Sequence, residues 1–124
     1  MEQNIEKHFL KAQEAIQESE ALIASGLYKA SIGRSYNAMM QAITAVIQAN
    51  KIRNDAKRNV YSIIDENFIK TGRLNKKFMN YLREADHARV DSGEISATSI
   101  EFRQAQMIMI RTREFIEECR KLCQ

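Results

Sequence analysis

Apolar residues recur in this chain at alternating intervals of four and three positions, and this spacing constrains the fold more than any other feature. In residues 2–24 the recurring positions are Ile5, Phe9, Ala12, Ile16, Ser19 and Ile23. Because such spacing places side chains on one face of an α-helix, it predicts a long amphipathic helix with one buried seam. The 124 residues contain no proline and only four isolated glycines, so little interrupts helical structure.

Four further helices follow from the same periodicity and from turn residues. Ser25-Gly26 ends the first helix, the second runs to about Asn50, and Lys51 to Asp55 is a predicted turn. The third helix spans 56–69, and Thr71-Gly72 forms the turn that closes it. The fourth helix then runs to about Asp91-Ser92-Gly93, and Ser96 caps the last one. The seam of the last helix consists of Phe102, Ala105, Met109, Thr112, Ile116, Cys119 and Cys123.

These elements predict an all-α fold, an antiparallel helical bundle of four long helices plus one shorter helix. No repeat, linker or low-complexity tract is visible, so we expect a single domain over residues 1–124. The second helix is richer in apolar residues than the first, which predicts that it lies centrally in the bundle. Its predicted buried residues are Ile32, Tyr36, Met39, Met40, Ile43, Val46 and Ile47.

Composition and motifs exclude several classes of protein. No apolar run approaches the roughly 18 residues of a membrane span, and "MEQNIEKHFL" has no apolar signal core, so we expect a cytoplasmic protein without a membrane partner. No phosphate-binding Gly-rich loop occurs. Cys119 and Cys123 lie four apart on one predicted helix, which favours core packing over a metal site. We therefore predict no metal and no cofactor.

The charge is unevenly distributed. The net charge is +3, and residues 51–89 carry ten Lys or Arg against five Asp or Glu, whereas the segments before and after are each slightly acidic. Such a basic block attracts phosphates, although a solvated helix face is the commoner explanation of such a charge pattern.

The segment "LREADHARVDSG", residues 82–93, places one of the two histidines among arginines and aspartates, just before a glycine. On a helix Arg83 and His87 are four positions apart, so both side chains point off one face about one turn apart. A proton acceptor and an anion-stabilising cation would then share one substrate. The same residues also suit an exposed final turn, because Arg and His are favourable near the negative C-terminal end of a helix.

Arg34 stands inside the apolar second helix, next to Ser35, Tyr36 and Asn37. If it faces the bundle it needs a carboxylate partner, for which Asp86 is the candidate. If it faces solvent near the helix start, it needs none.

Two segments together resemble a known family. "GLYKASIGRSYNAMMQAITAVIQANKI" is similar to a pattern of Gly-x-Tyr, an Arg before an aromatic-rich Tyr-Tyr-Ala-Met-Phe segment, and an apolar helix. "FMNYLREADHARVDSGEIS" is similar to a later Arg-x-x-Ala-Asp-Tyr segment and its polar turn. Both patterns are marks of the HEPN families (higher eukaryotes and prokaryotes nucleotide-binding). The resemblance extends from about Gly26 to the C-terminus, and the first helix matches in length and pattern.

The resemblance implies a homodimeric bundle, often encoded with a small nucleotidyltransferase in toxin–antitoxin pairs, or found in defence systems. Many relatives are metal-independent RNases with an Arg and a His separated by four to six residues, which meet across the dimer. By this resemblance Arg34 matches the arginine of the second helix, Asp86 the family's aspartate, and His87 the family's Tyr or catalytic His. Only three residues separate Arg83 from His87, and Asn37 replaces the second tyrosine.

The resemblance therefore implies a metal-independent endoribonuclease. His87 would exchange a proton with a ribose 2′-hydroxyl or a leaving oxygen, and Arg83 or Arg34 would stabilise charge on the phosphate. Asp86 would orient a partner. Three basic residues would hold the RNA backbone without reading its sequence: Arg73, Lys76 and Lys77.

Two alternatives stay open at this point. One is a catalytically inactive HEPN-like protein in which Arg34, Asp86 and His87 form a structural network. Its surface would bind a nucleotide or a nucleotidyltransferase partner. The other is a plain helical protein-interaction module without HEPN ancestry.

Overall fold

The computed structural model describes residues 2–53, 59–90 and 98–124, and all regular structure in these ranges is helical. In chain order its elements are α1 (Gln3–Ala24), α2 (Tyr28–Ala49), α3 (Val60–Ile64), a π-helical turn (Asp65–Ile69), α4 (Lys76–Val90) and α5 (Thr98–Leu122). The predicted all-α fold is confirmed. Among the described helices, none combines the length and apolar character that a membrane span needs.

Helix α2 lies at the centre, as its apolar composition predicted. It packs against α1, α4 and α5, and α5 also contacts α1 and α4. Two ion pairs fix the direction of α5 along α1, since Arg113 pairs with Glu20 near the end of α1 and Arg120 pairs with Glu6 near its start. The two helices are therefore antiparallel, as expected for an up-and-down bundle.

Three buried serines allow α1 and α2 to approach closely. The Oγ of Ser19 lies 2.7 Å from the Oγ of Ser31 and 2.9 Å from the Oγ of Ser35, and all three side chains are fully buried. Because each hydroxyl has a partner, their burial leaves no unsatisfied polar group. Ser19 thus occupies the seam position that the sequence predicted.

The core contains most of the predicted seams, with one correction in α5. Phe102 was predicted to be buried, but its side chain is 37% exposed. It contacts the Tyr28 ring at the start of α2 edge-on, with 5.7 Å between ring centroids. The buried face of α5 consists of Ala105, Ile108, Thr112, Phe115, Ile116, Cys119 and Leu122.

Both predicted glycine turns reverse the chain. Gly26 and Gly72 have φ of +77°, which glycine adopts without a steric penalty. The backbone N–H of the following residue closes each helix end: Leu27 N donates to Leu22 O, and Arg73 N donates to Phe68 O, each at 2.8 Å.

The third helix differs from the prediction at both ends. It begins at Val60, because Asn59 is extended and its side chain caps the helix by accepting from Ser62 N at 2.8 Å, whereas residues 56–58 of the predicted helix lie outside the described residues. Its final part is a π-helical turn, which the periodicity did not predict. The predicted Ser96 cap, the predicted end of the fourth helix at residues 91–93 and residues 54–55 of the predicted turn lie outside the described residues.

Candidate functional site

Helix α4 carries an exposed stripe that contains three of the predicted site residues. The helix starts where the Asn75 side chain accepts a hydrogen bond from Lys77 N at 2.9 Å. Its opposite face is buried in the bundle through Phe78, Leu82 and Ala85. One set of exposed residues on the solvent side recurs at intervals of four and three: Lys76, Asn80, Arg83, His87 and Val90. Arg83 and His87 therefore lie one turn apart on one exposed face.

On the flank of α4 that faces α3, polar side chains form a connected network. The Tyr61 hydroxyl donates to Asp86 Oδ2 at 2.8 Å, and the Arg89 guanidinium donates to Asp86 Oδ1 at 2.6 Å. The Arg89 guanidinium carbon lies 4.3 Å from the centroid of the Tyr36 ring, and that of Arg83 lies 4.6 Å from the Tyr61 ring. Asp86 and the Tyr36 ring thus hold Arg89, whereas the Tyr61 ring holds Arg83.

The electrostatics of this network favour a charged carboxylate and a protonated phenol. Burial and the hydrogen bond to Asp86 raise the pKa of Tyr61 well above its usual value. Burial opposes ionisation of Asp86, but the hydrogen bonds from Tyr61 and Arg89 outweigh it and lower the pKa of Asp86 below its usual value. The positive charge of Arg89 lowers it further.

Arg34 does not join this network, which corrects the predicted pair with Asp86. Its Nε lies 2.9 Å from Glu18 Oε2 on α1, and its side chain is 37% exposed. Arg34 and Tyr36 are two residues apart, about 200° around the helix, so Arg34 faces α1 while Tyr36 faces α4. The alternative of an arginine near solvent at the start of the second helix describes it better.

The three basic residues predicted to hold RNA differ in their surroundings. The Lys77 Nζ lies 3.0 Å from Glu114 Oε1 of α5. Arg73 donates to Asn50 Oδ1 through both terminal nitrogens at 3.3 Å, and its guanidinium carbon lies 5.0 Å from the Phe68 ring centroid. Lys76 is exposed on the stripe of α4 that contains His87.

The cysteines lie in and beside the core. Cys119 is buried and Cys123 half-buried, and both are free thiols. Burial raises the pKa of both thiols, which keeps them in the unreactive protonated form. In the described ranges, no group of three or more His, Cys, Asp or Glu side chains is placed to hold a metal ion.

Sequence reasoning missed three members of the network. Tyr61 and Arg89 received no role, and Tyr36 was assigned to the core. The spacing of Asp86 and Arg89, three residues apart on a helix, is a signal that indicates an ion pair. The bond between Tyr61 and Asp86 joins residues 25 positions apart and has no such local signal.

Comparison with known proteins identifies relatives of the chain. Residues 5–122 match the HEPN domain. The chain is 24% identical over 117 residues to a protein of Methanocaldococcus jannaschii named "Putative toxin", a match that covers 94% of this chain and 80% of the relative. A helical module without HEPN ancestry, the last alternative from the sequence, is therefore wrong.

Proposed function

Since the chain belongs to the HEPN family, we propose that it is a toxin-like HEPN protein that acts as a metal-independent endoribonuclease. The observation that carries this proposal is the exposed face of α4, on which Arg83 and His87 lie one turn apart. The resemblance to a protein named as a toxin supports the toxin-like part of the proposal. A spacing of three intervening residues still serves because positions i and i+4 are neighbours on a helix surface.

His87 is the proton-transfer group of the proposed reaction. Histidine is the side chain that most readily takes up and releases a proton near neutral pH. The imidazole takes the proton of a ribose 2′-hydroxyl, whose oxygen then attacks the adjacent phosphorus. The bond from phosphorus to the 5′-oxygen breaks, and that oxygen receives a proton from an imidazolium or from water. His87 is exposed and makes no hydrogen bond to the residues that the structure describes, so its ring nitrogens are accessible.

Arg83 stabilises the negative charge that develops on the phosphate during attack. Its guanidinium rests on the Tyr61 ring and has no carboxylate partner among the described residues, so its N–H groups can reach a phosphate. Arg34 is paired with Glu18 on the α1 side, which favours Arg83 over Arg34 for this role. The two oxygens of Asp86 are engaged by Tyr61 and Arg89, so Asp86 anchors the network.

Of the basic residues, Lys76 is best placed to contact the RNA backbone, because it lies on the stripe of Arg83 and His87. Lys77 and Arg73 have protein partners, and we assign them a weaker attraction for phosphate. The family further suggests a homodimer, in which two such faces form one cleft, and an antitoxin partner of the nucleotidyltransferase class.

A second candidate function is a catalytically inactive HEPN protein that binds such a nucleotidyltransferase or a nucleotide. The observation that favours it is the spacing of Arg83 and His87, which is shorter than the family's motif. In that case the exposed face of α4 binds a partner and transfers no proton.

Cleavage of mixed, end-labelled RNA in EDTA discriminates these functions. The wild type should cut, and His87→Ala should lower the rate by about 100-fold or more, as expected for loss of a general base. His8→Ala is the matched control, because His8 is the other histidine and contacts Gln41 between α1 and α2 at 2.9 Å. A wild type that cuts no RNA contradicts the nuclease and supports the second candidate.

A further inference from the structure

Tyr61 contacts two residues of α4 at once. It is the second residue of α3 and its side chain is half-buried. Its hydroxyl donates to Asp86 at 2.8 Å, and the plane of its ring supports the Arg83 guanidinium at 4.6 Å. Arg83 and Asp86 are three residues apart, so a single aromatic side chain spans almost one turn of α4 just before His87.

The position of Tyr61 is itself fixed from both sides. The Asn59 side chain caps the first turn of α3, and Ile63 and Ile64 of the same short helix are buried in the core. On the α4 side, Asp86 is held by Arg89 at 2.6 Å as well as by Tyr61. The ring under Arg83 is therefore attached to the bundle at two independent points.

The contact between Tyr61 and Asp86 also persists when a histidine changes charge. The pKa of the Tyr61 phenol is raised by burial and by its bond to Asp86, so it remains a donor. The pKa of Asp86 is lowered by its hydrogen bonds, although burial opposes this, so the carboxylate remains an acceptor. Neither partner titrates near neutral pH, where imidazole groups gain or lose a proton.

We propose that Tyr61 is a positioning residue for Arg83, whose ring holds the guanidinium on the exposed face of α4 beside His87. An unsupported arginine on a helix surface samples many rotamers, and ordering it in the transition state costs conformational entropy. A stacked arginine has already lost part of that freedom, which preorganises the phosphate contact. This role rests on the nuclease function proposed above.

Steady-state kinetics of RNA cleavage in EDTA test the role of the ring. Tyr61→Leu should lower kcat by about tenfold and change KM by less than about twofold, because binding through Lys76 is retained. Tyr61→Phe keeps the ring and should lose less than about threefold in kcat. Tyr81→Leu is the matched control, since Tyr81 carries Arg111 over its ring at 5.1 Å on the α5 side of α4. It should leave kcat unchanged.

The Arg83 Nε–Hε signal in nuclear magnetic resonance spectra gives a readout independent of activity. The signal is assigned through Arg83→Lys and carries a ring-current shift from Tyr61. The shift should survive in Tyr61→Phe and Tyr81→Leu and disappear in Tyr61→Leu. If the leucine variant does not fold, Tyr61→Phe still tests the proposal, because its retained shift and retained kcat are both required.

Three results overturn the positioning role. They are an unchanged Arg83 shift in folded Tyr61→Leu, an unchanged kcat in that variant, and a loss in Tyr61→Phe as large as in Tyr61→Leu. If the wild type cuts no RNA, the nuclease proposal fails, and the Arg83 shift alone then decides whether Tyr61 holds the guanidinium.

Discussion

Tyrosine and arginine side chains meet on both flanks of α4, but the two arrangements differ in their carboxylates. Toward α5, the Tyr81 hydroxyl donates to Glu114 at 3.3 Å and its ring lies under Arg111. Arg111 also binds Glu84 of α4, with N–O distances of 2.6 and 2.7 Å. Toward α3, the equivalent arginine, Arg83, has the ring of a tyrosine and no carboxylate in the described part of the chain.

The difference lies in where the arginine originates. On the α5 side the arginine comes from the neighbouring helix, so its carboxylate and its ring both join α5 to α4. On the α3 side the arginine belongs to α4 itself, and its charge remains at the surface. Both tyrosine–arginine stacks connect two helices, but only the stack of Arg83 on Tyr61 lacks a carboxylate partner in the described part of the chain and so presents a cation.

The largest expected effect tests whether the flanks or the core hold α4. Leu82 is fully buried on the core face of α4, between the two polar flanks. Leu82→Ala should lower the free energy of unfolding by about 3 kcal/mol, because it removes buried methyl groups and leaves a cavity. Chemical denaturation measures this, with Asn80→Ala on the exposed side as the control, expected to change stability by less than about 0.5 kcal/mol. A small effect of Leu82→Ala would mean that the polar flanks hold the helix.

The next prediction compares the carboxylates of the two flanks by acid unfolding. The pKa of folded Asp86 lies below its ordinary value of 3.8. Asp86 therefore contributes stability that is fully present above about pH 5 and is lost as the pH falls through the lowered folded-state pKa. Asp86→Asn should cost about 1–2 kcal/mol at pH 7 and flatten the acid dependence below pH 5.

Glu114→Gln provides the comparison on the α5 flank. Its pKa is also lowered, chiefly by the hydrogen bond from Lys77, but its side chain is 45% exposed against 28% for Asp86. Water and salt screen the more exposed group, so the acid unfolding curve of this variant should lie closer to that of the wild type. Equal flattening in both variants would remove the distinction between the flanks.

The smallest effects concern arginine pairs near the surface. Arg111→Ala should destabilise by about 1 kcal/mol, since it loses a ring contact and an ion pair in which one guanidinium nitrogen donates to both oxygens of Glu84. Arg34→Ala should cost less than about 0.5 kcal/mol, because Arg34 and Glu18 are 37% and 55% exposed. Thermal melts at low and high salt measure both, and a larger loss for Arg34→Ala would indicate a buried pair.

The sequence predicted the helices of the bundle because each carries its own local periodicity. Ile5, Phe9 and Ala12 identify a buried face without reference to any other part of the chain. The exposed pair of Arg83 and His87 was predictable for the same reason, since it lies within one helix.

The network around the pair was not predictable in this way. Tyr61 meets Asp86 only because the turn at Gly72 folds α3 back against α4, and Arg34 meets Glu18 only because α1 and α2 are antiparallel neighbours. Arg34 was wrongly paired with Asp86 because opposite charge alone suggested the pair. The sequence did not show which face of α2 packs against α1 and which against α4. Family resemblance identified residues, but it did not specify their contacts in this chain.

The π-helical turn after α3 has the geometric effect of a single-residue insertion. Its Lys70 N–H donates to Asp65 O, five residues back and not four, at 2.9 Å. Since a helix rotates by about 100° per residue, deleting one residue between 65 and 69 would restore a regular helix and redirect the chain reversal at Gly72 by about that angle. Homologues with a one-residue gap at this point should therefore lead the connection to α4 away in another direction. The number of residues in the π-helical turn, as much as residue identity, determines whether a tyrosine of α3 can contact α4.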